Sequence, residues 1–182
     1  TSHQIAASGA TEKSQYAFTT SYFSQDSPVR FVGYERVTIR ANSSTKVLND
    51  RLTIGENFTL SMDNRKGGFG NNSEQNAVSA AYKHHPLLPV YDIAGNFAGS
   101  RGLNLGNNNA PFARLSRNQD DRSKRIRAFG SVYAEARIAD KITAKSIFGF
   151  DVIGRRGLYI GRPQPEYIEG NFINSQTSLF QN

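Results

Sequence analysis

Residues 125–151 read RIRAFGSVYAEARIADKITAKSIFGFD and alternate apolar with polar positions on both sides of a short polar break at residues 139–141. Successive side chains of a strand point to opposite faces, so a period of two predicts β-strands. The even positions of the two arms, 126–138 and 142–150, carry no charge, whereas the odd positions hold the charged side chains of both arms. The stretch therefore predicts a long β-hairpin with one apolar face and one polar face.

The turn of this hairpin determines which residues face each other across it. If residues 139–141 form a three-residue loop, four pairs are expected: Ile138 with Ile142, Val132 with Phe148, Gly130 with Phe150, and Glu135 with Lys145. The last pair joins opposite charges, which stabilises a hairpin by roughly 0.2–1 kcal/mol and helps to fix its register.

The length of the two arms distinguishes two settings. Strands of soluble domains are typically about 5–6 residues long, whereas a tilted strand that crosses a bilayer needs about 9–11. Both arms sustain their alternation beyond the soluble norm. On the hairpin alone, a membrane barrel and a soluble sandwich with long strands both remain open.

Composition narrows the chemistry that the chain can carry. The 182 residues include no cysteine, which excludes disulfides, cysteine-ligated zinc and thiol chemistry. The net charge of +7 comes from 22 basic and 15 acidic residues that are scattered along the chain, the densest run being residues 122–127, so nucleic acid is not an expected partner. No apolar run approaches the roughly 20 residues of a membrane-spanning helix. The chain starts without Met, and we expect it to be a segment of a larger protein.

The rest of the chain extends the strand pattern. Alternation predicts six strands, at about residues 2–9, 14–24, 34–43, 51–63, 124–138 and 142–152. The first two strands are expected to pair Ile5 with Phe18 and Ala7 with Tyr16. A long loop over about residues 64–123 contains one predicted helix, from Ser73 to Lys83, and the tail from Gly154 is predicted to be a loop. Short turns thus alternate with longer loops, as in outer-membrane barrels.

Four stretches, in this order, resemble the SusC/RagA type of TonB-dependent outer-membrane transporters. They are HQIAASGATEKSQYAFTTSYFSQD (residues 3–26), GYERVTIRANSSTKVLNDRLTIGENFTL (33–60), HPLLPVYDIAGNFAG (85–99) and RAFGSVYAEARIADKITAKSIFGFD (127–151). The resemblance implies an all-β fold: an antiparallel up-and-down transmembrane β-barrel of 22 strands around an N-terminal plug. Residues 1–182 would form part of that one barrel domain, contributing about six strands, and no plug is recognisable in them.

The resemblance also implies a function and partners. We expect a fragment of a transporter in the outer membrane of a Gram-negative cell, surrounded by lipid, that takes up a nutrient such as oligosaccharides or peptides. Energy would come from the TonB complex, and a SusD-like surface lipoprotein would cap the barrel, both through parts of the protein outside this segment. The alternative is a soluble β-sandwich that acts as a carbohydrate-binding or other ligand-binding module.

The residues themselves suggest no catalytic centre. His84 and His85 are adjacent and lack the spacing and third ligand of a metal site, and the carboxylates of the strands are dispersed. We therefore expect no enzyme activity, no cofactor and no metal. The long loop carries aromatic, amide and charged side chains suited to sugar or peptide contacts, and the candidate ligand-binding residues are Tyr91, Asp92, Asn96, Phe97 and Arg114. The alternative is that these side chains only pack the loop against the barrel rim.

Overall fold

The computed structural model describes residues 1–68, 77–101, 110–166, 173 and 175–181. These residues form one antiparallel sheet in which every strand pairs with the next along the chain. The strands are β1 (Ser2–Ala10), β2 (Ser14–Asp26), β3 (Gly33–Val47), β4 (Leu52–Lys66), β5 (Arg122–Ala139), β6 (Ile142–Gly161) and β7 (Ser175–Gln181). Helices α1 (Ala77–Lys83) and α2 (Pro111–Arg117), followed by a 3-10 turn (Asn118–Asp120), lie between β4 and β5.

The register gives the sheet two chemically different faces. Residues that are directly opposite one another share a face, and one such row across six strands is Ile5, Thr20, Ile39, Leu60, Ala128 and Val152. We call this side the apolar face. A row on the other side, the polar face, contains Gln4, Ser21, Thr38, Ser61 and Arg127.

Burial is the reverse of that in a soluble protein. On the polar face, Thr59 and Asp63 are only 6% and 5% exposed, whereas on the apolar face Phe148 and Val152 are 71% and 61% exposed. No second sheet covers the apolar face within the described residues. An exposed apolar surface of this size, backed by a polar interior wall, is the arrangement of a sheet whose outer side meets hydrocarbon.

Strand lengths and connections fit this arrangement. The strands β2 to β6 contain 13 to 20 residues, more than the roughly 9–11 that cross a bilayer. Connections at one end of the sheet are short, at residues 11–13, 48–51 and 140–141, and those at the other end are longer. Leu48, Asn49 and Asp50 all adopt positive φ in the second short turn. We call the two ends the short-turn end and the long-loop end.

The predicted hairpin register is confirmed over most of its length. Val132 faces Phe148, Gly130 faces Phe150 and Glu135 faces Lys145, with 3.5 Å between the charged atoms of the last pair. The pairing of Ile138 with Ile142 is wrong, because the register shifts between Arg137 and Ala139 and Ala139 faces Ile142 instead. A bulge at Ile138 therefore shortens the predicted three-residue loop to the two residues 140–141.

The predicted pairing of the first hairpin is wrong by two residues. Ile5 faces Thr20 and Ala7 faces Phe18, rather than Phe18 and Tyr16. The turn starts later than expected because Thr11 closes it: its backbone N–H donates to the carbonyl oxygen of Ser14 at 2.7 Å, and its Oγ1 accepts from the Ser14 N–H at 3.0 Å. Gly9, the last residue of the predicted first strand, faces Tyr16, and the strand continues to Ala10.

The long loop and the tail also differ from their predictions. The β4 and β5 strands reach Lys66 and Arg122, and α2 is a second helix that the sequence did not suggest. The predicted helix start at Ser73 lies outside the described residues, while its end at Lys83 is confirmed. The tail is not all loop, because β6 continues to Gly161 and β7 pairs with it. Apolar residues are adjacent to one another in these segments, as in residues 158–160 and 179–180, so the alternation that identifies strands is missing there.

In the described part of the chain, neither helix is long and apolar enough to cross a membrane. Both contain seven residues.

Two neighbouring glycines provide a stability test. A Cβ at Gly130 would overlap the backbone carbonyl oxygen of Asn57 on β4, whereas a Cβ at Gly149 would meet nothing closer than 3.7 Å. We expect Gly130→Ala to lower the free energy of unfolding by roughly 1–3 kcal/mol, because backbone cannot move aside as a side chain can. Denaturant unfolding of the full-length protein in lipid, followed by circular dichroism, measures the change.

The control is Gly149→Ala, on the adjacent strand. It is expected to be neutral or slightly stabilising, since alanine has less conformational freedom than glycine in the unfolded chain. Equal unfolding free energies for the two variants would contradict the described packing of β4 against β5.

Candidate ligand-binding site at the long-loop end

Three segments that are distant in sequence meet at the long-loop end of the sheet. They are residues 84–101, helix α2, and residues 165–166. Arg101 joins the first to the third, because its Nη1 donates to the carbonyl oxygen of Pro165 at 2.9 Å and its backbone N–H donates to that of Glu166 at 3.2 Å. The loop after β6 therefore helps to hold the loop that follows α1.

An ion pair joins α2 to the same loop. Both terminal nitrogens of Arg117 contact the two carboxylate oxygens of Glu166, with Nη2 and Oε2 2.9 Å apart. The two side chains are only 12% and 8% exposed. A two-pronged guanidinium–carboxylate contact that is this shielded from water fixes both position and orientation.

Aromatic rings form the adjoining wall. Tyr91 stacks on Phe97 with ring centroids 5.5 Å apart, and the two residues also form an isolated antiparallel β-bridge. Phe97 meets the ring of Phe112 edge-on at 6.2 Å, and the Arg117 guanidinium lies 5.2 Å from the Phe97 centroid. The Phe97 ring is thus held on several sides, while Tyr91 stays half exposed.

The turn between Tyr91 and Phe97 is built by Asp92. Its Oδ1 accepts the backbone N–H groups of Ala94 and Asn96 at 2.9 and 2.8 Å, and its carbonyl oxygen accepts the N–H of Gly95 at 3.1 Å. Gly95 adopts a φ of +82°, which favours glycine. The sequence YDIAGNF therefore folds locally into a tight turn that brings its two aromatic ends together.

These groups line an open cavity of about 640 Å³. Its lining comprises Tyr91, Asp92, Gly95, Asn96, Phe97, Arg117, Pro165 and Glu166. Stacked rings beside amide, carboxylate and guanidinium groups provide both a flat apolar surface and directional hydrogen-bonding partners. Such a combination can bind a sugar ring or a peptide segment, and the volume lies within the usual range for small-molecule sites.

Four of the five predicted ligand-binding residues line this cavity: Tyr91, Asp92, Asn96 and Phe97. Arg114 does not; it is 8% exposed on α2, on the same helix as Arg117. Sequence reasoning missed Arg117 and Glu166. They are 49 residues apart, and no spacing motif in the sequence indicates that they meet.

A buried carboxyl supports the base of the loops. The Oδ1 of Asp121 accepts a hydrogen bond from the backbone N–H of Ile160 at 3.0 Å. The backbone carbonyl oxygen of Asp121 accepts a hydrogen bond from the backbone N–H of Gly67 at 2.9 Å. Burial raises the pKa of the Asp121 carboxyl above its usual value. Asp121 thus ties together the long-loop ends of β4, β5 and β6, from which the loops around the cavity extend.

The histidines beside this site make local contacts. His84 Nε2 lies 2.9 Å from the carbonyl oxygen of Leu88, and His85 Nδ1 accepts the N–H of Leu87 at 3.2 Å. No group of three or more metal-ligating side chains comes together in the ranges that the structure describes.

The shielded ion pair provides a test of how the cavity is held. We expect Arg117→Gln to destabilise the packing of residues 165–166 against α2 by about 3–5 kcal/mol, because Glu166 would keep a buried charge without its partner. Hydrogen–deuterium exchange of the full-length protein should then rise in residues 91–101 and 165–166.

The matched control is Arg162→Gln. Arg162 pairs with Asp120 nearby, but these side chains are 36% and 42% exposed, so their loss is expected to cost about 0–1 kcal/mol. Unchanged exchange in Arg117→Gln, or an equal rise in the control, would contradict the bracing role of the Arg117–Glu166 pair.

Comparison with known proteins relates this geometry to a family. No protein-family model matches the chain. The curated protein named TonB-dependent receptor P3, from Formosa agariphila, is 29% identical over 156 residues, which cover 81% of this chain. The chain spans only 15% of that relative.

A solved structure supports the fold independently. The structure of the RagAB peptide importer in its closed-closed state superposes with a TM-score of 0.63 over 92% of this chain and 19% of the matched chain, at 18% identity. This likeness confirms the all-β antiparallel fold that the resemblance implied. In sequence the chain is similar to part of a TonB-dependent receptor, and in fold it is similar to part of the RagAB peptide importer.

Proposed function

We propose that the protein imports a nutrient across the outer membrane and that this chain supplies part of the barrel wall and of its outer loops. The observation that carries the proposal is the reversed sheet, whose apolar side chains are exposed while polar side chains such as Thr59 and Asp63 are buried. That arrangement suits a wall between hydrocarbon and a water-filled interior. A soluble β-sandwich would instead bury its apolar rows against a second sheet.

The parts of the transporter outside this chain are also proposed from the resemblance. Residues 1–182 belong to one barrel domain of 22 strands, which encloses a plug encoded elsewhere in the protein. The TonB complex energises import, and a SusD-like lipoprotein covers the outer opening. The match to the RagAB importer supports the lipoprotein partner.

The nutrient is an oligosaccharide or a peptide, and we propose that the loop cavity contacts it. Tyr91 and Phe97 offer stacked rings, and Asn96 and Asp92 offer polar groups around the same space. Arg114 stays a prediction as a ligand contact, since it is buried in α2 beside the cavity-lining helix residue Arg117. We propose binding and transport rather than catalysis, without a cofactor.

Cell fractionation and uptake test the proposal together. The full-length protein is expected in the outer-membrane fraction, and deletion of its gene should abolish growth on the imported nutrient. Replacing both rings, Tyr91→Ala with Phe97→Ala, should weaken uptake roughly 5- to 150-fold, because each of the two aromatic contacts contributes about 0.5–1.5 kcal/mol.

The control is Tyr82→Ala, which removes an aromatic ring that is 87% exposed on α1 and does not line the cavity. Uptake by this variant should equal that of the wild type. Recovery of the full-length protein in the soluble fraction would reject the transporter, whereas normal uptake by the double variant would reject only the cavity as a substrate contact.

A further inference from the structure

A row of charged side chains crosses the polar face near the long-loop end. Arg36, Asp63, Arg125 and Arg155 lie directly opposite one another on β3, β4, β5 and β6. Arg65 is two residues beyond Asp63 on β4 and therefore points to the same face. Four arginines and a single aspartate therefore lie together on this face, and we call these five residues the arginine row.

The carboxylate is fully engaged by its neighbours. Asp63 Oδ1 accepts hydrogen bonds from Arg36 Nε at 2.7 Å and from the Tyr34 hydroxyl at 3.0 Å. Asp63 Oδ2 accepts a hydrogen bond from Arg125 Nε at 2.7 Å. The Asp63 side chain is only 3% exposed. Because both of its oxygens are already in use, Asp63 has little capacity to neutralise a third or fourth arginine.

The remaining two arginines lack a carboxylate partner among the described residues. Arg155 forms no ion pair with any of them, and Arg65 lies 5.8 Å over the ring of Tyr34 without an ion pair. Arg36 is partly exposed at 44% and Arg125 at 31%, so the positive charge is accessible from the interior. The arginine row carries three more positive than negative charges.

A small cavity opens between these side chains. Its volume is about 120 Å³, and its lining comprises Asp63, Arg65, Ser123, Arg125 and Arg155. A water molecule occupies about 30 Å³ in the liquid, so this space accommodates a group of several heavy atoms. Guanidinium groups bind planar oxyanions through paired hydrogen bonds, and the Ser123 hydroxyl adds another possible donor.

We propose that this cavity binds an oxyanion, foremost a carboxylate, carried by the imported molecule, and that the transporter therefore selects anionic oligomers. The proposal rests on the proposed transport function and names the charge of its substrate. Clustered arginines repel one another, and an anion between Arg65, Arg125 and Arg155 relieves that repulsion. The cavity lies on the polar face, which would line the path of the imported molecule through the barrel.

The test measures binding of defined probes to the purified full-length protein in detergent by calorimetry. Hexagalacturonate and hexa-aspartate present carboxylates on a sugar and on a peptide, and maltohexaose presents none. We expect at least one carboxylated probe to bind and maltohexaose to bind at least 10-fold more weakly. Which carboxylated probe binds more tightly identifies the backbone of the substrate.

Variants assign the binding to the arginine row. The single substitutions Arg155→Gln and Arg65→Gln should each weaken binding of the carboxylated probe about 10-fold and reduce its salt dependence. Arg155→Lys should retain part of the affinity. The control Arg137→Gln removes an arginine of the same face at the short-turn end and should change affinity less than 2-fold. Circular dichroism of each variant checks that it is folded.

Three outcomes would overturn the proposal. One is equal binding of charged and neutral probes, and another is unchanged binding in both Arg155→Gln and Arg65→Gln. The third is binding of the carboxylated probe only after the plug is deleted, because a carboxylate of the plug would then be the group that occupies the cavity in the intact protein. Because binding is measured on purified protein, an Arg155-dependent result without any uptake in cells would contradict the transport function instead.

Discussion

The constraint on which this structure depends is that a chain in hydrocarbon must satisfy its backbone hydrogen bonds without water. A sheet of neighbouring antiparallel strands does so, and the described strands pair in sequence order from β1 to β7. Once the backbone is satisfied, only the side chains of the outer face have to be apolar. The reversed burial, with Phe148 exposed and Asp63 enclosed, follows directly from that requirement.

The same constraint positions the two sites. The strands β5 and β6, with 18 and 20 residues, are longer than the roughly 9–11 residues that cross a bilayer, and their ends at Arg122 and Gly161 lie at the long-loop end. Asp121 joins them there to β4, and the loops above this junction enclose the aromatic cavity around Phe97. The inner face is free to hold charge, which is why a buried carboxylate and four arginines can share one row of the sheet.

The sequence predicted the parts of the fold that depend on alternation. Side-chain period predicted six strands, and the cross-strand pair Glu135–Lys145 was predicted correctly because that hairpin is long and its two faces differ. The pairing of each strand with the next was implied by the resemblance. Registers that depend on turn geometry were less predictable. The Thr11 hydroxyl places the first turn two residues from its predicted register, and the bulge at Ile138 shortens the last turn. The end of β6 and the strand β7 do not alternate apolar with polar residues over their length, and they were missed for that reason.

The candidate site also has residues that the local sequence identifies and residues that only the fold brings together. Tyr91, Asp92, Asn96 and Phe97 are close in sequence, and one turn brings them together, so local chemistry was enough to identify them. Arg117 and Glu166 meet only because the sheet brings their loops to the same end. The arginine row is spread over four strands, and its members become neighbours only through the register.

The most direct test of the account measures which face of the sheet meets lipid. Nitroxide labels attached to single cysteines at Val132 and Val152, and at Ser61 and Ser131, report collisions with oxygen in lipid and with a nickel chelate in water. In the full-length protein in a bilayer, we expect labels at the two valine positions to collide more with oxygen and labels at the two serine positions to collide more with the nickel chelate. Valine positions shielded from both reagents would show that another protein layer covers the apolar face, and would contradict the account.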